Sequence, residues 1–240
     1  MITIRNLRKR HGRKEVLHDI SFDVQPGRIT GFLGPNGAGK SSTLRILLGL
    51  DRATSGSALI NGVAYGSLLN PMRSVGAMFD GPGASRGRSA KDHLRWMCIS
   101  NGIAKSRVDE VLEIVGLEND AKHKVGTFSL GMGQRLGIAS ALLGSPGVLV
   151  LDEPTNGLDP DGLRWLRSFL TGQAKNGSTV LVSSHLMTEM EGIADDLVVI
   201  YKGSIVSTGT VEAVRGDHSS LEEAFFGLTD VPAARLDKLA

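Results

Sequence analysis

Residues 28–50 read RITGFLGPNGAGKSSTLRILLGL, and the fold turns on how they are parsed. RITGFL is an apolar, strand-like run, the next seven residues are rich in glycine, and SSTLRILLGL carries apolar residues at helical spacing until Gly49. Gly34-x-x-x-x-Gly39-Lys40-Ser41 has the form of the phosphate-binding P-loop, and it sits between strand and helix as that motif requires. Gly37 and Gly39 let the backbone fold tightly, so that successive N–H groups face phosphate oxygens. The helix starting near Lys40 adds its positive end. Lys40 brings a charge to the terminal phosphates and the Ser41 hydroxyl reaches Mg²⁺; Asn36 and Ser42 complete the nucleotide-binding set. A chance glycine turn is the competing reading, since the chain holds 31 glycines, but strand, loop and helix agree.

Working outward, the 240 residues suffice for one large α/β domain with a sizeable core. Apolar residues at 41% and charged residues at 22% are ordinary soluble usage, and a net charge of +2 is too small to argue for nucleic acid. The single cysteine, Cys98, rules out an internal disulfide and fits a reducing, cytoplasmic setting; among Trp96, Met97 and Ile99 it reads as a core or interface thiol. The basic N-terminus is not followed by an apolar leader, and no run approaches the ~18 apolar residues of a membrane span. Any membrane-spanning part is expected on another chain.

ITIRNL alternates as an edge strand does. VLHDISFDV and RITGFLG follow as strands around a Pro26-Gly27 turn, GSALINGVAY turns at Asn61-Gly62, and VGAMFD at 75–80 is a short buried strand. Residues 85–145 then change to helical patterns. SAKD from Ser89 and SRVD from Ser106 resemble capping boxes with Asp for Glu, and Val108, Val111, Leu112 and Val115 share one helix face ending at Gly116. After Pro146, VLVLDE and TVLVSSH are nearly continuous apolar strands joined by a crossover helix over 161–177. DLVVIYKGSIVSTG is a hairpin turning at Lys202-Gly203, SLEEAFFGL a last helix, and 229–240 a flexible tail. The expected fold is an α/β P-loop NTPase with a mixed sheet core, an N-terminal antiparallel β part and a helical insert: one domain over 1–228, its catalytic body at 1–84 and 146–228 and its helical subdomain at 85–145.

Asp152 ends an apolar strand, where a carboxylate can hold Mg²⁺, and Glu153 suits a general base on the attacking water. Solvated acids at a strand end are the bland alternative. His185 also closes a strand, where it can donate to the γ-phosphate; a capping or core histidine is its alternative.

Together these residues resemble the ATPase subunit of ABC transporters over nearly the whole chain, to about Leu228. FSLGMGQRLGIASAL at 128–142 is similar to that family's signature stretch, with Ser129, Leu130 and Gly131 where Ser-Gly-Gly usually stands and Met132 in place of glutamine. SLGM is typical of a subgroup that exports drugs and peptide antibiotics, of the daunorubicin or bacitracin resistance type. The resemblance implies a head-to-tail dimer in which Ser129 and Gly131 of one copy meet the γ-phosphate on the P-loop of the other. It implies that Glu153 is the catalytic glutamate, His185 the switch histidine, and that TNGLDP at 155–160 is the D-loop, with Asp159 crossing to the partner site. Two positions depart from the pattern. His11 stands where an aromatic residue usually stacks on adenine, and offers less area than tyrosine. Asp80, in FDGPG, stands where a glutamine usually approaches Mg²⁺ and couples to the membrane subunit, with a turn aspartate as its alternative reading.

The basic residues Arg5, Arg8, Lys9, Arg10, Arg13 and Lys14 read as a solvated edge, or else as a site for phosphate-rich ligands or lipid headgroups. Trp96 and Met97 divide evenly between core packing and a surface for the membrane subunit. The expected function is therefore ATP hydrolysis, with ATP and Mg²⁺ as cofactors, by a dimer under a separate transmembrane permease at the cytoplasmic face of the membrane. Its cargo is a hydrophobic small molecule, an antibiotic or a peptide. A soluble ABC ATPase acting on nucleic acid or ribosomes is the alternative, though such chains usually carry two cassettes or a long coiled-coil insert. A GTPase lacks its Asn-Lys-x-Asp here, and a kinase leaves SLGM and His185 without a role.

Overall fold

The computed structural model describes residues 1–79 and 81–229. In chain order the elements are β1 (Ile2–His11), β2 (Lys14–Val24), β3 (Ile29–Leu33), α1 (Lys40–Leu47), β4 (Ser55–Ile60), α2 (Pro71–Ser74), β5 (Val75–Met78), α3 (Ala90–Ser100) and α4 (Arg107–Ile114). Then come α5 (Leu130–Leu142), β6 (Val148–Asp152), α6 (Pro160–Lys175), β7 (Thr179–Ser184), α7 (Met187–Glu191), β8 (Asp196–Tyr201), β9 (Ser204–Thr210), α8 (Val211–Arg215) and α9 (Leu221–Thr229). The tail expected from Thr229 lies, beyond that residue, outside the described residues. The chain forms two compact units, Met1–Leu68 with the stretch from Leu170 onward, and Leu69–Phe169.

In the first unit β1 pairs antiparallel with β2 on one side and β4 on the other. ITIRNL is thus a central strand, not the edge strand its pattern suggests. Alternation places Ile2 and Ile4 in the core, and a register shift at left-handed Asn6 brings Leu7 to the same face, but alternation says nothing of how many backbone edges are paired. The Asn61-Gly62 turn forms as expected: both residues are left-handed, φ 50° and 80°, and Ile60 and Val63 exchange backbone hydrogen bonds of 2.8 and 3.0 Å. The second sheet of this unit is mixed. β3 runs parallel to both β7 and β8, and β9 returns antiparallel to β8. Every residue of β3 and β7 is buried, as strands covered on both faces require.

In the second unit β5 and β6 pair in parallel, and Leu94, Cys98, Val108, Val111, Leu112 and Val115 form the helical core. Ser89 caps α3 as expected, its hydroxyl accepting from Asp92 N at 3.1 Å and donating to the Asp92 carboxylate. Ser106 does not cap α4. It already has helical backbone angles, because turns closed by Arg107 N on Ala104 O and Val108 N on Lys105 O start the coil earlier. The Asp109 carboxylate that would complete the box is held by Lys91 at 2.5 Å. No helix among the described residues is long and apolar enough to cross a membrane.

Close packing makes one glycine of the second unit irreplaceable: a β-carbon on Gly144 would lie 1.8 Å from the Met72 carbonyl oxygen. Gly172, within α6, has open space there. Gly144→Ala is expected to lose about 2–3 kcal/mol by overpacking, and Gly172→Ala to gain up to about 1 kcal/mol by helix propensity. Urea unfolding of both variants checks the opposite signs.

Candidate functional site

The glycine-rich loop leaves β3 at Leu33 and is held by main chain on several sides. Gly34 N donates to Ser184 O at the end of β7, at 3.4 Å. A β-carbon on Gly34 would sit 2.2 Å from the Ile200 carbonyl oxygen of β8, so only glycine fits. At the β8–β9 turn, Gly203 N donates to Ala38 O at 2.9 Å and Gly203 O accepts from His18 N at 2.8 Å. The hairpin at Lys202-Gly203 therefore ties the loop to β2. Sequence reasoning singled out Gly37 and Gly39 and missed Gly34 and Gly203 as supports, because their constraint comes from strands distant in the chain.

Lys40 opens α1 and is only 5% exposed; its Nζ donates to Gly34 O at 2.6 Å. Thr43, another residue not singled out, donates its hydroxyl to Gly39 O at 2.9 Å. The residue capping α1 is Gly39, left-handed at φ 115° and without a side chain to engage the first-turn N–H groups. Asn36, Gly37 and Ser41 are exposed around them, and Ser42 is half-buried. A loop with open N–H groups, an ammonium beneath and a hydroxyl at its rim is chemically suited to a magnesium-bound polyphosphate. His185 follows β7 immediately after Ser184, the partner of Gly34, and is half-buried. His11 is exposed at the tip of the β1–β2 hairpin, opposite Lys14.

In the second unit, Asp152 is the last residue of β6 and is 6% exposed. Glu153 is left-handed at φ 50°, a costly conformation for a residue with a side chain and one that clusters at functional sites. The chain then turns twice, with Asn156 N on Glu153 O at 3.3 Å and Leu158 N on Thr155 O at 3.1 Å. It reaches Asp159, which is exposed and accepts from Gly162 N at 2.7 Å, capping α6. Ser129 is exposed and caps α5, accepting from Met132 N at 3.2 Å; Gly131 lies in the first turn, partly exposed. Asp80 lies outside the described residues.

Arg5 pairs with Asp23 at 2.7 Å, Arg8 with Asp19 at 3.2 Å and Lys9 with Asp51 at 2.6 Å. Arg5 and Lys9 hold the Asp23 and Asp51 carboxyls below their ordinary range. Half of the basic stripe is thus matched by acids of the same unit. Trp96 is 55% exposed, with Arg88 5.2 Å from its ring centre, so it is not a core residue; Met97 is half-buried. Cys98 is fully buried, which pushes its thiol up.

A family profile described as ABC transporter matches residues 17–156. The lantibiotic transport ATP-binding protein SrtF of Streptococcus pyogenes is 38% identical over 225 residues, which is 94% of this chain and 96% of that protein. The bacitracin transport ATP-binding protein BcrA of Bacillus licheniformis is 42% identical over 209 residues, 86% of this chain and 68% of that one. A solved structure of an ATP binding subunit of an ABC transporter superposes with a TM-score of 0.85 at 27% identity, covering 95% of this chain and 99% of the other. With a phosphate loop of this construction and relatives that match it nearly end to end, the chain belongs to the ABC transporter family as an ATP-binding domain.

Proposed function

We propose that this chain hydrolyses ATP to power export of an antibiotic, a peptide or a hydrophobic small molecule through a separate membrane subunit. The observation that carries the reading is Lys40, a buried ammonium under a loop whose tip and helix start remain open. Lantibiotic and bacitracin transport proteins among the relatives support the cargo class.

Lys40 neutralises the terminal phosphates, while N–H groups of the loop and of the first turn of α1 hold their oxygens, Ala38 N being engaged with Pro35 O. Ser41 and Asp152 would supply oxygen ligands to Mg²⁺, and the carboxylate of Asp80 is chemically suited to the same ion. When bound, the ion polarises the γ-phosphate and offsets the charge that develops there. Glu153 takes a proton from the attacking water, and its left-handed backbone turns it away from the alternation of β6. His185 donates to the γ-phosphate, and His11 stacks on adenine. Ser129 and Gly131 of a second copy close the nucleotide in, and Asp159 reaches across the same interface. A neighbouring cassette solved as a dimer with ADP and Pi shares the fold, with a TM-score of 0.78 at 23% identity. The dimer works at the cytoplasmic face of the membrane, and the exposed Trp96 with Met97 on α3 supplies an apolar face for the membrane subunit.

Lys40→Ala is expected to weaken ATP binding roughly 10- to 100-fold, the value of a charge-assisted hydrogen bond, in a fluorescent-nucleotide titration. Unchanged affinity would place the phosphates elsewhere. Glu153→Gln should lower turnover by about 100- to 10,000-fold and leave an ATP-bound dimer on gel filtration. Monomers alone under saturating ATP would sink the head-to-tail reading for the isolated subunit.

A further inference from the structure

Two segments of the second unit meet where a side chain fills the place of a missing one. Leu130 opens α5 and is 61% exposed, yet one face of it rests on Gly157. A β-carbon built on Gly157 would lie 2.3 Å from Leu130 Cδ2, 2.4 Å from its Cγ and 2.8 Å from its Cβ. Heavy atoms do not approach so closely, so Leu130 occupies the space that any side chain at 157 would need. Gly157 is also left-handed at φ 72°. The fit is reciprocal at the next residue: a β-carbon on Gly131 would meet the Gly157 carbonyl oxygen at 3.1 Å and Leu158 Cδ2 at 3.5 Å. Gly131 lets the loop come down onto the helix start, and Gly157 lets Leu130 reach across it.

The residues on either side carry the proposed chemistry. Ser129 immediately precedes Leu130, and Asp159 lies two residues beyond Gly157. Each is already fixed to a helix start, Ser129 by Met132 N and Asp159 by Gly162 N. The loop between Glu153 and Asp159 has two short turns of its own, but these do not tie it to α5. The Leu130–Gly157 contact does so by packing, which is sensitive to single methylenes.

We propose that Leu130 is a positioning residue: seated in the notch left by Gly157, it locks the 153–159 loop to the start of α5, so that Ser129 and Asp159 reach a second copy as one body. The second half of this statement rests on the head-to-tail dimer proposed above. It follows that leucine at 130 demands glycine at 157. Any larger residue at 157 displaces Leu130, and removing the leucine side chain makes room again.

The test uses the full chain in a Glu153→Gln background, with Gly157→Asn, Leu130→Gly and both together. Asparagine tolerates a left-handed backbone, so Gly157→Asn reports mainly the collision with Leu130. Hydrogen exchange on the isolated subunit reads the loop directly. Gly157→Asn is expected to raise deuterium uptake across 129–133 and 153–159, and the double variant to bring it back toward the parent. Sedimentation with ATP reads the second copy. Gly157→Asn should weaken dimerisation about tenfold, as overpacking of this kind does, with recovery in the double variant. ATP affinity of the lone subunit is read alongside and should stay within about twofold, since neither residue belongs to the Lys40 cradle. A double variant no better than Gly157→Asn in both readouts, or a Gly157→Asn that behaves as the parent, overturns the proposal. A parent that never dimerises fails the dimer reading and the part of the proposal built on it, while exchange still decides whether Leu130 holds the loop.

Discussion

The approach of main chain to main chain at Gly34 is the constraint on which the rest of the nucleotide site depends. The loop around Lys40 has few side chains of its own to hold it open, and its shape is imposed by neighbours. The β8 carbonyl of Ile200 presses so close to Gly34 that a β-carbon would stand 2.2 Å from it, and the β8–β9 turn bonds to Ala38 through Gly203 N. With those two supports in place, Lys40 can be buried with its ammonium on the Gly34 carbonyl, and α1 can begin at a glycine that leaves its first N–H groups open. A cradle built this way is rigid before a ligand arrives, which is the condition for binding a multiply charged group without a large ordering cost.

The second unit solves a different problem. Here the residues assigned to chemistry sit on a loop that leaves a fully buried strand and must turn at once. Glu153 and Gly157 both take left-handed backbone, one at an energetic cost and one without it. Between them the chain makes two tight turns and ends by capping α6. The strain at Glu153 is tolerated because β6 on one side and the capped helix on the other fix the loop's ends.

Charge is handled locally across the first sheet. Arg5, Arg8 and Lys9 each have an acid of the same unit within 4 Å, so half of a stripe that looks basic in sequence is neutralised within the fold. The exposed pairs of Arg5 and Arg8 contribute little stability, whereas Lys9 is buried against Asp51. Their consequence is a weaker field than the one-dimensional run of lysines and arginines suggests.

Much of this protein is set by local chemistry and was legible in the sequence. The strand–loop–helix around Gly34–Ser41, the Asn61-Gly62 and Lys202-Gly203 turns, the capping of α3 by Ser89 and the buried face of α4 depend on residues a few places apart. Backbone preference and periodicity record such relations. What the sequence left undecided depends on partners far along the chain. The pattern of ITIRNL gives its buried face but not the two strands that flank it, so it passed for an edge. Ser106 has the residues of a cap, yet an earlier turn and Lys91 take that role from it. Gly34 and Gly203 stand in the sequence as motif and turn residues, but their close approach to Ile200 and Val16 does not show there, and Leu130 looks like an exposed apolar residue until Gly157 lies under it. Tertiary structure decided these points because each is a steric relation between distant segments, and sterics of that kind leave no periodic trace in a single strand of text.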